Sequence, residues 1–237
     1  MIYQTELKDV CVTIHGKTIL ENVSFGIKKG EFVTVLGPNG SGKTTMLKAV
    51  LGIIRPVSGE VRVCGFDAVT NSDEARKRVS YIPQGMDIDR FFPITAGDVI
   101  SCGIISGFGI KKSNGAGIKQ AVEEMGVSRL LKQPFGTLSG GEKQKIMLAA
   151  ALARNPEAVF LDEPNLNLDP FAYEALLNAF MRINRERGIS IVFVTHLMDK
   201  IPPACKRIIV MKNGRIVSDE SAENTLARGK IGEFIYG

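Results

Sequence analysis

The stretch Gly37–Thr45, GPNGSGKTT, constrains this chain most, because three glycines, a lysine and two threonines in nine residues suit neither a helix interior nor a strand. Residues 37 to 44 fit the pattern G-x-x-x-x-G-K-[ST], between an apolar run and a helical pattern at Thr44–Gly52. In that context the backbone N–H groups of the loop point inward around a polyphosphate, and the helix start adds partial positive charge. The sequence therefore predicts a loop that binds a nucleoside triphosphate.

Each residue type in this loop has an expected task. Lys43 would reach the β and γ phosphates, and the hydroxyl of Thr44 would bind Mg²⁺. The alternative, a strand-to-helix turn that contains a lysine by chance, leaves the two fitting flanks unexplained. The expected nucleotide contacts are Gly37, Pro38, Asn39, Gly40, Ser41, Gly42, Lys43, Thr44 and Thr45.

The apolar runs of the chain predict an α/β fold. Phe32–Leu36, Ala158–Leu161 and Ile189–Val194 lack polar alternation, as do strands of a mostly parallel sheet that is covered on both faces. Helical patterns at Glu142–Arg154 and Tyr173–Arg187 would supply the cover. A phosphate loop within such a sheet indicates a P-loop NTPase core.

Two further regions have a different pattern. Tyr3–Lys28 and Gly59–Val63 alternate apolar with polar residues and predict an antiparallel β subdomain. Helical patterns at Ala96–Cys102 and Gly117–Met125, in a glycine-rich region, predict a helical subdomain. We expect one domain over residues 1–237, with the core and β subdomain at about 1–84 and 156–213, the helical subdomain at about 85–155, and a tail at 214–237.

Bulk composition limits the compartment and the partners. The 30 basic and 25 acidic residues are interspersed, so that the formal charge of +5 does not imply a nucleic-acid partner. No signal peptide and no apolar run of membrane-spanning length occurs. Four cysteines without a ligand or pair spacing indicate buried thiols in a reducing compartment, and they are Cys11, Cys64, Cys102 and Cys205.

Asp162 and Glu163 follow the apolar run at Ala158–Leu161, which puts two carboxylates at the carboxyl end of a buried strand. Ligands of open α/β sheets bind at that edge. Asp162 could hold the hydration shell of a magnesium ion, and Glu163 could polarise a water for attack on the γ-phosphorus. Two solvated carboxylates at a strand end are the alternative, which the neighbouring phosphate loop makes the weaker one.

Leu138–Glu142, LSGGE, precedes another helical pattern. Ser139, Gly140 and Gly141 would offer free N–H groups and a hydroxyl, and so a second anion site. A plain helix cap is the alternative, and it explains Ser139 but not the two glycines.

With these motifs in order, the chain resembles the ATP-binding cassette family from about Leu7 to Leu226. Leu138–Glu142 resembles the LSGGQ signature of that family, ahead of the carboxylate pair. The other three motifs that carry the resemblance are the glutamine loop at Tyr81–Gln84, the loop at Asn167–Asp169 and the histidine switch at Val194–His196.

The resemblance implies that two such subunits pack head to tail around two ATP molecules. Gly37–Thr45 of one chain would face Ser139, Gly140 and Gly141 of the other, and Asp169 would couple the two sites. His196 would hold the γ-phosphate near Glu163, and Gln84 would touch the magnesium shell. On this basis the catalytic set is Glu163, His196, Lys43 and Gln84, and the metal set is Thr44, Gln84 and Asp162.

The chain also departs from the family pattern. His15 lies where the family usually stacks an aromatic residue on adenine, and either it stacks in that place or it is a histidine in a β turn beside Gly16. Glu142 replaces the usual glutamine and adds a negative charge near the expected phosphates. These departures affect the rate and the base affinity, since no group that does chemistry is lost.

The purpose of the ATPase is less constrained, because this fold serves transport, DNA repair, translation and cluster assembly. The segment Asp87–Thr95 resembles the corresponding segment in the cassettes of zinc and manganese importers. Its residues Phe91-Phe92-Pro93 would form the floor of a groove that receives a helix of a membrane subunit. A soluble ATPase of iron–sulfur cluster assembly is the alternative. Expected partners are a second copy or a homologous ATPase subunit, an integral membrane permease and a substrate-binding protein, at the cytoplasmic side of the membrane.

Overall fold

A computed structural model describes residues 3–84, 92–102, 115–164 and 169–227. The strands are β1 (Thr5–Ile14), β2 (Lys17–Ile27), β3 (Phe32–Leu36), β4 (Ser58–Val63), β5 (Phe66–Asp67), β6 (Val79–Ile82), β7 (Ala158–Asp162), β8 (Ser190–Thr195), β9 (Arg207–Lys212) and β10 (Arg215–Ser221). The α-helices are α1 (Lys43–Val50), α2 (Ser72–Arg78), α3 (Ala96–Cys102), α4 (Gly115–Met125), α5 (Gly140–Leu152), α6 (Pro170–Arg187) and α7 (Ala222–Ala227).

A six-stranded sheet forms the centre, in the order β10-β9-β3-β8-β7-β6. All its pairs are parallel except β9 with β10. Every residue of β3, β7 and β8 is buried, which agrees with their unbroken apolar runs. The predicted α/β class with a mostly parallel sheet is confirmed.

The two faces of this sheet pack against different layers. Phe32 and Leu36 of β3 belong to a core with α3 to α6, whereas Val33 and Val35 point into a second core with α1 and the antiparallel strands. Successive side chains of a strand face opposite ways, so one apolar strand supplies both cores. The sheet is therefore held rigidly from both sides.

The second sheet is antiparallel, in the order β2-β1-β4-β5. Leu7 and Val12 of β1 are buried against the second core, and the residues between them include exposed Lys8 and Asp9. This sheet confirms the β layer that the alternation at Tyr3–Lys28 and Gly59–Val63 predicts.

Two helices begin earlier than their apolar patterns indicate. Ser139 caps α5, so the helix starts at Gly140 and not at Glu142. Asp169 caps α6 and Pro170 occupies the first turn, so this helix starts ahead of Tyr173. In both cases polar capping residues extend a helix beyond the apolar periodicity.

Beyond Gly214 the expectation of a tail is wrong for the first seven residues. Arg215–Ser221 forms the edge strand β10, which pairs with β9 through a two-residue turn at Asn213-Gly214. Both turn residues have positive φ, 50° and 77°, as the type I′ turn requires. The core sheet thus extends past residue 213.

Two sequence expectations about burial and membranes can be compared with the described residues. Of the four free cysteines only Cys205 is buried, and the other three are partly exposed, so the expectation of four buried thiols is wrong. Within residues 3–84, 92–102, 115–164 and 169–227, no helix is both long and apolar enough to cross a bilayer.

Candidate functional site

The parallel strands bring the predicted polar residues to one edge of the sheet. The phosphate loop follows β3, Glu163 follows β7, His196 follows β8, and Gln84 lies two residues beyond β6. Since the carboxyl ends of parallel strands lie together, residues that are far apart in sequence meet there.

The phosphate loop has the backbone that its glycines predict. A Cβ atom on Gly37 would lie 2.2 Å from the carbonyl oxygen of Met211, so no larger residue fits. Gly42 precedes α1 with a φ of 100°, a conformation that glycine adopts without strain. The loop therefore opens directly onto the N-terminus of a helix, where anions bind favourably.

Lys43 lies buried at the centre of this loop. Its Nζ atom donates hydrogen bonds of 2.7 Å to the carbonyl of Gly37 and 2.9 Å to that of Pro38. Burial lowers the pKa of Lys43, while the carboxylates of Glu163 and Asp162 act in the opposite direction. The ammonium group can exchange these carbonyls for phosphate oxygens, which are stronger acceptors because they are charged.

Asp162 is buried and only half satisfied. Its Oδ2 atom accepts a 3.1 Å hydrogen bond from the hydroxyl of Tyr81, whereas Oδ1 is buried without a hydrogen-bond partner among the described residues. Burial raises the pKa of Asp162, and the neighbouring hydroxyls of Thr44 and Tyr81 lower it in part. An unpaired carboxylate oxygen beside a threonine hydroxyl is a donor set that fits Mg²⁺, with phosphates and water as further ligands.

Glu163 is the meeting point of the other predicted residues. Its Oε2 atom lies 2.9 Å from Nδ1 of His196 and accepts a 3.2 Å hydrogen bond from Nε2 of Gln84. Its backbone has a φ of 47°, unusual for a residue other than glycine, and its N–H donates to Val194 at 3.0 Å. The strand ends in this conformation, which aims a buried carboxylate at the edge of the sheet, where it could polarise a water molecule.

A cavity of about 470 Å³ borders the phosphate loop, Gln84 and Glu163, a size within the range of small-molecule sites, whereas Asp162 and His196 contact its lining residues without lining it themselves. His15 does not line it and is exposed in the β1–β2 turn, with a φ of 49°. The lining residues are Lys17, Ile19, Asn39, Gly40, Gly42, Lys43, Thr44, Thr45, Gln84 and Glu163.

Ser139 forms a capping box at the start of α5. Its Oγ atom accepts from the N–H of Glu142 at 3.3 Å, and the carboxylate of Glu142 accepts from the N–H and Oγ of Ser139 at 3.1 and 2.9 Å. These hydrogen bonds lower the pKa of Glu142. The extra negative charge is therefore directed back onto its own helix start.

The start of α6 lies beside that of α5. A Cβ atom on Gly141 would be 3.1 Å from Cβ of Ala172, and Asp169 accepts a hydrogen bond of 2.9 Å from the N–H of Ala172. Neither helix start lines the cavity of the same chain, which excludes Ser139, Gly140, Gly141 and Asp169 from it. The site that one chain assembles thus contains the phosphate loop, Gln84 and Glu163 at the cavity, with Asp162 beside Thr44 and His196 beside Glu163, and it lacks the second anion site.

Part of the expected site lies outside the described residues. This applies to Asp87–Phe91 and Asn167-Leu168, whereas Phe92 is described and is 55% exposed. Sequence reasoning missed Tyr81 as a partner of Asp162, and it missed Lys17 and Ile19 as walls of the cavity. For Tyr81 the only available signal in the sequence is its place one residue before the end of β6, the strand that neighbours β7.

Known proteins share both the sequence and the fold. The manganese transport system ATP-binding protein MntB of Listeria monocytogenes is 33% identical over 240 residues, covering 98% of this chain and 95% of the relative. The molybdate/tungstate import ATP-binding protein WtpC of Thermococcus kodakarensis is 38% identical over 199 residues, covering 84% of this chain and 59% of the relative.

A solved ATP-binding cassette, a dimer in a post-hydrolysis state with bound ADP and Pi, has a TM-score of 0.77 at 28% identity, covering 92% of this chain and 98% of that one. Residues 20–166 match the family model described as ABC transporter. With the phosphate loop, the carboxylate pair and the signature each in its expected place along the chain, the protein belongs to the ATP-binding cassette family of ABC transporter ATPases.

Proposed function

We propose that this chain is the ATP-hydrolysing subunit of a membrane importer for metal ions or metal chelates, working as a dimer at the cytoplasmic side of the membrane. The observation that carries the chemistry is the contact of Gln84 and His196 with the carboxylate of Glu163, beside the phosphate loop. The likeness to MntB, whose name states manganese transport, supports a metal-ion substrate, and the likeness to WtpC, whose name states molybdate/tungstate import, supports import as the direction.

Within the proposed reaction, each residue acts at a stated atom. Lys43 releases the carbonyls of Gly37 and Pro38 and donates to the β and γ phosphates. A water that donates a hydrogen bond to Glu163 Oε2 attacks the γ-phosphorus and passes a proton to that carboxylate as the new P–O bond forms, while His196 orients the carboxylate and the water. The bond from the γ-phosphorus to its bridging oxygen breaks, and ADP leaves with the electron pair.

Magnesium belongs to this proposal through Asp162 and Thr44, with Gln84 at its hydration shell. The ion would neutralise the charge that develops on the phosphate oxygens. The buried, unpaired Oδ1 atom of Asp162 supports its place, because such an oxygen otherwise costs free energy.

We infer a second subunit because the cavity of one chain lacks its own signature residues. Ser139, Gly140 and Gly141 lie outside the cavity, so a second copy would have to bring its signature to the γ-phosphate. The solved dimeric cassette supports this arrangement. A permease would then respond to closure of the dimer, and a substrate-binding protein would deliver the cargo to that permease.

The test captures partners with the variant Glu163→Gln, which should bind ATP without hydrolysing it. The bait is incubated with Mg-ATP and detergent-solubilised native membranes, or with the soluble fraction, and Lys43→Ala is the matched control. We expect a polytopic membrane protein in stoichiometric amount with the first bait only. Recovery of soluble cluster-assembly proteins alone would contradict the importer proposal.

The substrate class needs a separate measurement. Cells lacking the chain should contain less of one transition metal or metal oxyanion by elemental mass spectrometry, and the wild-type chain should restore it where Lys43→Ala does not. An unchanged metal content would exclude metal import while leaving the ATPase intact.

A further inference from the structure

We propose that Tyr173 is a positioning residue for ATP hydrolysis, because it holds the segment after β8 in the place that keeps the imidazole of His196 on Glu163. This inference rests on the proposed role of His196 in the reaction. Tyr173 belongs to α6, does not line the cavity, and is buried in the core that covers one face of the central sheet. Core packing explains its ring, whereas its hydroxyl group makes a separate and specific contact.

Two contacts join Tyr173 to Lys200. The hydroxyl group of Tyr173 donates a hydrogen bond of 2.5 Å to the backbone carbonyl of Lys200. The ammonium group of Lys200 lies 5.3 Å from the centre of the Tyr173 ring, which is a cation–π distance. Burial raises the pKa of Tyr173, and the carboxylate of Asp199 raises it further, so the phenol keeps its proton and donates at neutral pH.

The segment from Thr195 to Lys200 is held by a hydrogen bond at each end. At its start the N–H of Leu197 donates to Oγ1 of Thr195 at 3.1 Å, and Thr195 is a buried residue of β8. At its end Met198–Lys200 forms one turn of 3-10 helix, whose last carbonyl accepts from Tyr173. No residue of this turn is buried, so packing alone holds it weakly. The Tyr173 hydroxyl therefore fixes the turn relative to α6.

His196 lies within this segment, one residue after Thr195. Its Nδ1 atom is 2.9 Å from Oε2 of Glu163, and a shift of about 1 Å would take the two atoms out of hydrogen-bond range. Misplacement of that size is enough to slow an enzyme reaction markedly. Removing the hydroxyl of Tyr173 frees the far end of the segment and so allows the backbone at His196 to move.

The first turn of α6 supplies the other side of this link. The N–H of Tyr173 donates to the carbonyl of Asp169 at 3.0 Å, and the side chain of Asp169 caps the helix through the N–H of Ala172. The phenol thus has a fixed place in the helix start that lies beside Gly141. A movement of that helix start would reach His196 through a single hydrogen bond.

The first experiment compares Tyr173→Phe with the wild type by phosphate release from Mg-ATP. The variant keeps the buried ring and should lower kcat about fivefold, the equivalent of one lost hydrogen bond. The KM for ATP should stay near the wild-type value, because Tyr173 does not line the cavity. The pH of the acid limb should also stay, because Tyr173 donates to Lys200 and not to Asp162.

Tyr3→Phe is the matched control, since the Tyr3 ring packs against Gly26 ahead of β1 and does not line the cavity. Its kcat should equal that of the wild type. An unchanged kcat in Tyr173→Phe, or the same loss in Tyr3→Phe, would overturn the inference. A raised KM with kcat unchanged would likewise assign Tyr173 to nucleotide binding and overturn it.

A double-mutant cycle tests whether Tyr173 acts through His196. His196→Ala removes the group that Tyr173 is proposed to position, so adding Tyr173→Phe to it should lower kcat no further. A general structural effect would instead multiply the two losses. Multiplied losses would overturn the inference.

Nuclear magnetic resonance tests the position of the imidazole without relying on activity. The chain has two histidines, so labelling with ¹⁵N-histidine gives two sets of ring signals, which His196→Ala assigns. Tyr173→Phe should shift the ring signals of His196 and leave those of His15, in the β1–β2 turn, unchanged. Unchanged His196 signals would overturn the inference whatever the rate. Shifted signals in a chain whose wild type does not hydrolyse ATP would keep the contact and contradict the proposed function instead.

Discussion

Lys43 stabilises the phosphate loop, because its ammonium group lies at the centre of the loop and donates hydrogen bonds to two loop carbonyls. In Lys43→Ala both bonds are lost, and so is the ammonium group at the centre of the phosphate loop. We expect kcat/KM for ATP to fall by about 100-fold or more, the usual cost of one pre-placed charge-stabilising donor. Phosphate release and equilibrium binding of ATP measure the effect.

Lys48→Ala is the matched control for this variant. Lys48 is a lysine of the same helix, half-buried at its C-terminal end and outside the cavity. Its loss should leave ATP kcat/KM near the wild-type value. Full activity in Lys43→Ala would contradict the assignment of the loop as the phosphate site.

Tyr81 donates a hydrogen bond to Asp162 and so favours the charged form of that carboxylate. Burial raises the pKa of Asp162, and the Tyr81 hydroxyl is one of the groups that lower it. Tyr81→Phe removes that donor, so the pKa should rise further and the carboxylate should lose its charge at a higher pH. Because kcat/KM reports groups of the free enzyme, the acid limb of its pH profile should shift upward for ATP hydrolysis.

Tyr173→Phe is the control for the loss of a phenolic hydroxyl. Tyr173 donates instead to the backbone carbonyl of Lys200 and not to Asp162. The acid limb of the kcat/KM profile of Tyr173→Phe should coincide with that of the wild type. An unchanged acid limb in Tyr81→Phe would show that Asp162 does not set the acid side of the profile.

At the scale of elements, the capping box shows how a departure from the family signature is accommodated. The Glu142 carboxylate accepts two hydrogen bonds from Ser139, and glutamine can fill the same place in a capping box. Glu142→Ala should lower the urea midpoint of unfolding, and Glu142→Gln should largely keep it. Far-UV circular dichroism in urea measures both midpoints.

The pH dependence separates the carboxylate from its amide analogue. Hydrogen bonds from Ser139 lower the folded-state pKa of Glu142. Its stabilisation is therefore present above the unfolded pKa and is lost as the pH falls through the lowered folded pKa. If the wild type has a higher urea midpoint of unfolding than Glu142→Gln, this difference should disappear on acidification. A difference in midpoint that persists at acidic pH would contradict the capping role of the charge.

The strands of the sheet were predictable in proportion to their burial. Phe32–Leu36 is observed with the predicted bounds, because a strand covered on both faces has no polar residue to blur them. Strand β10 was missed, since its residues alternate between exposed and half-buried and resemble a surface tail. The Asn213-Gly214 dipeptide was the available signal, as it is the preferred sequence of a two-residue hairpin.

The site was predictable where the sheet assembles it and not where surface residues complete it. Parallel strands dictate that Glu163, His196 and Gln84 meet, whatever their separation in sequence. Lys17 and Ile19 border the cavity because Gly214 joins β2 to the phosphate loop, a tertiary contact that no periodicity encodes. The backbone of Glu163, with its positive φ, is likewise set by the surrounding strands.

At the scale of the whole molecule, the proposed dimer explains an exposed aromatic residue. Phe171 lies in the first turn of α6, two residues after Asp169, and is 86% exposed. Ala172, the next residue along α6, contacts Gly141, so Phe171 lies near the signature residues in the chain fold. A large apolar side chain there suits a surface that a second copy covers.

The variant Glu163→Gln with Mg-ATP should therefore form a stable dimer, because closure persists when the γ-phosphate is not cleaved. Adding Phe171→Ser should raise the dimer dissociation constant by about 30-fold, the equivalent of about 2 kcal/mol of lost apolar burial. Adding Val57→Ser instead, at an exposed valine beside β1 in the antiparallel sheet, should leave it unchanged. Sedimentation equilibrium measures the dimer dissociation constants. A Glu163→Gln chain that stays monomeric with Mg-ATP would rule out the two-chain site. Equal effects of Phe171→Ser and Val57→Ser would show that Phe171 does not lie in the dimer interface.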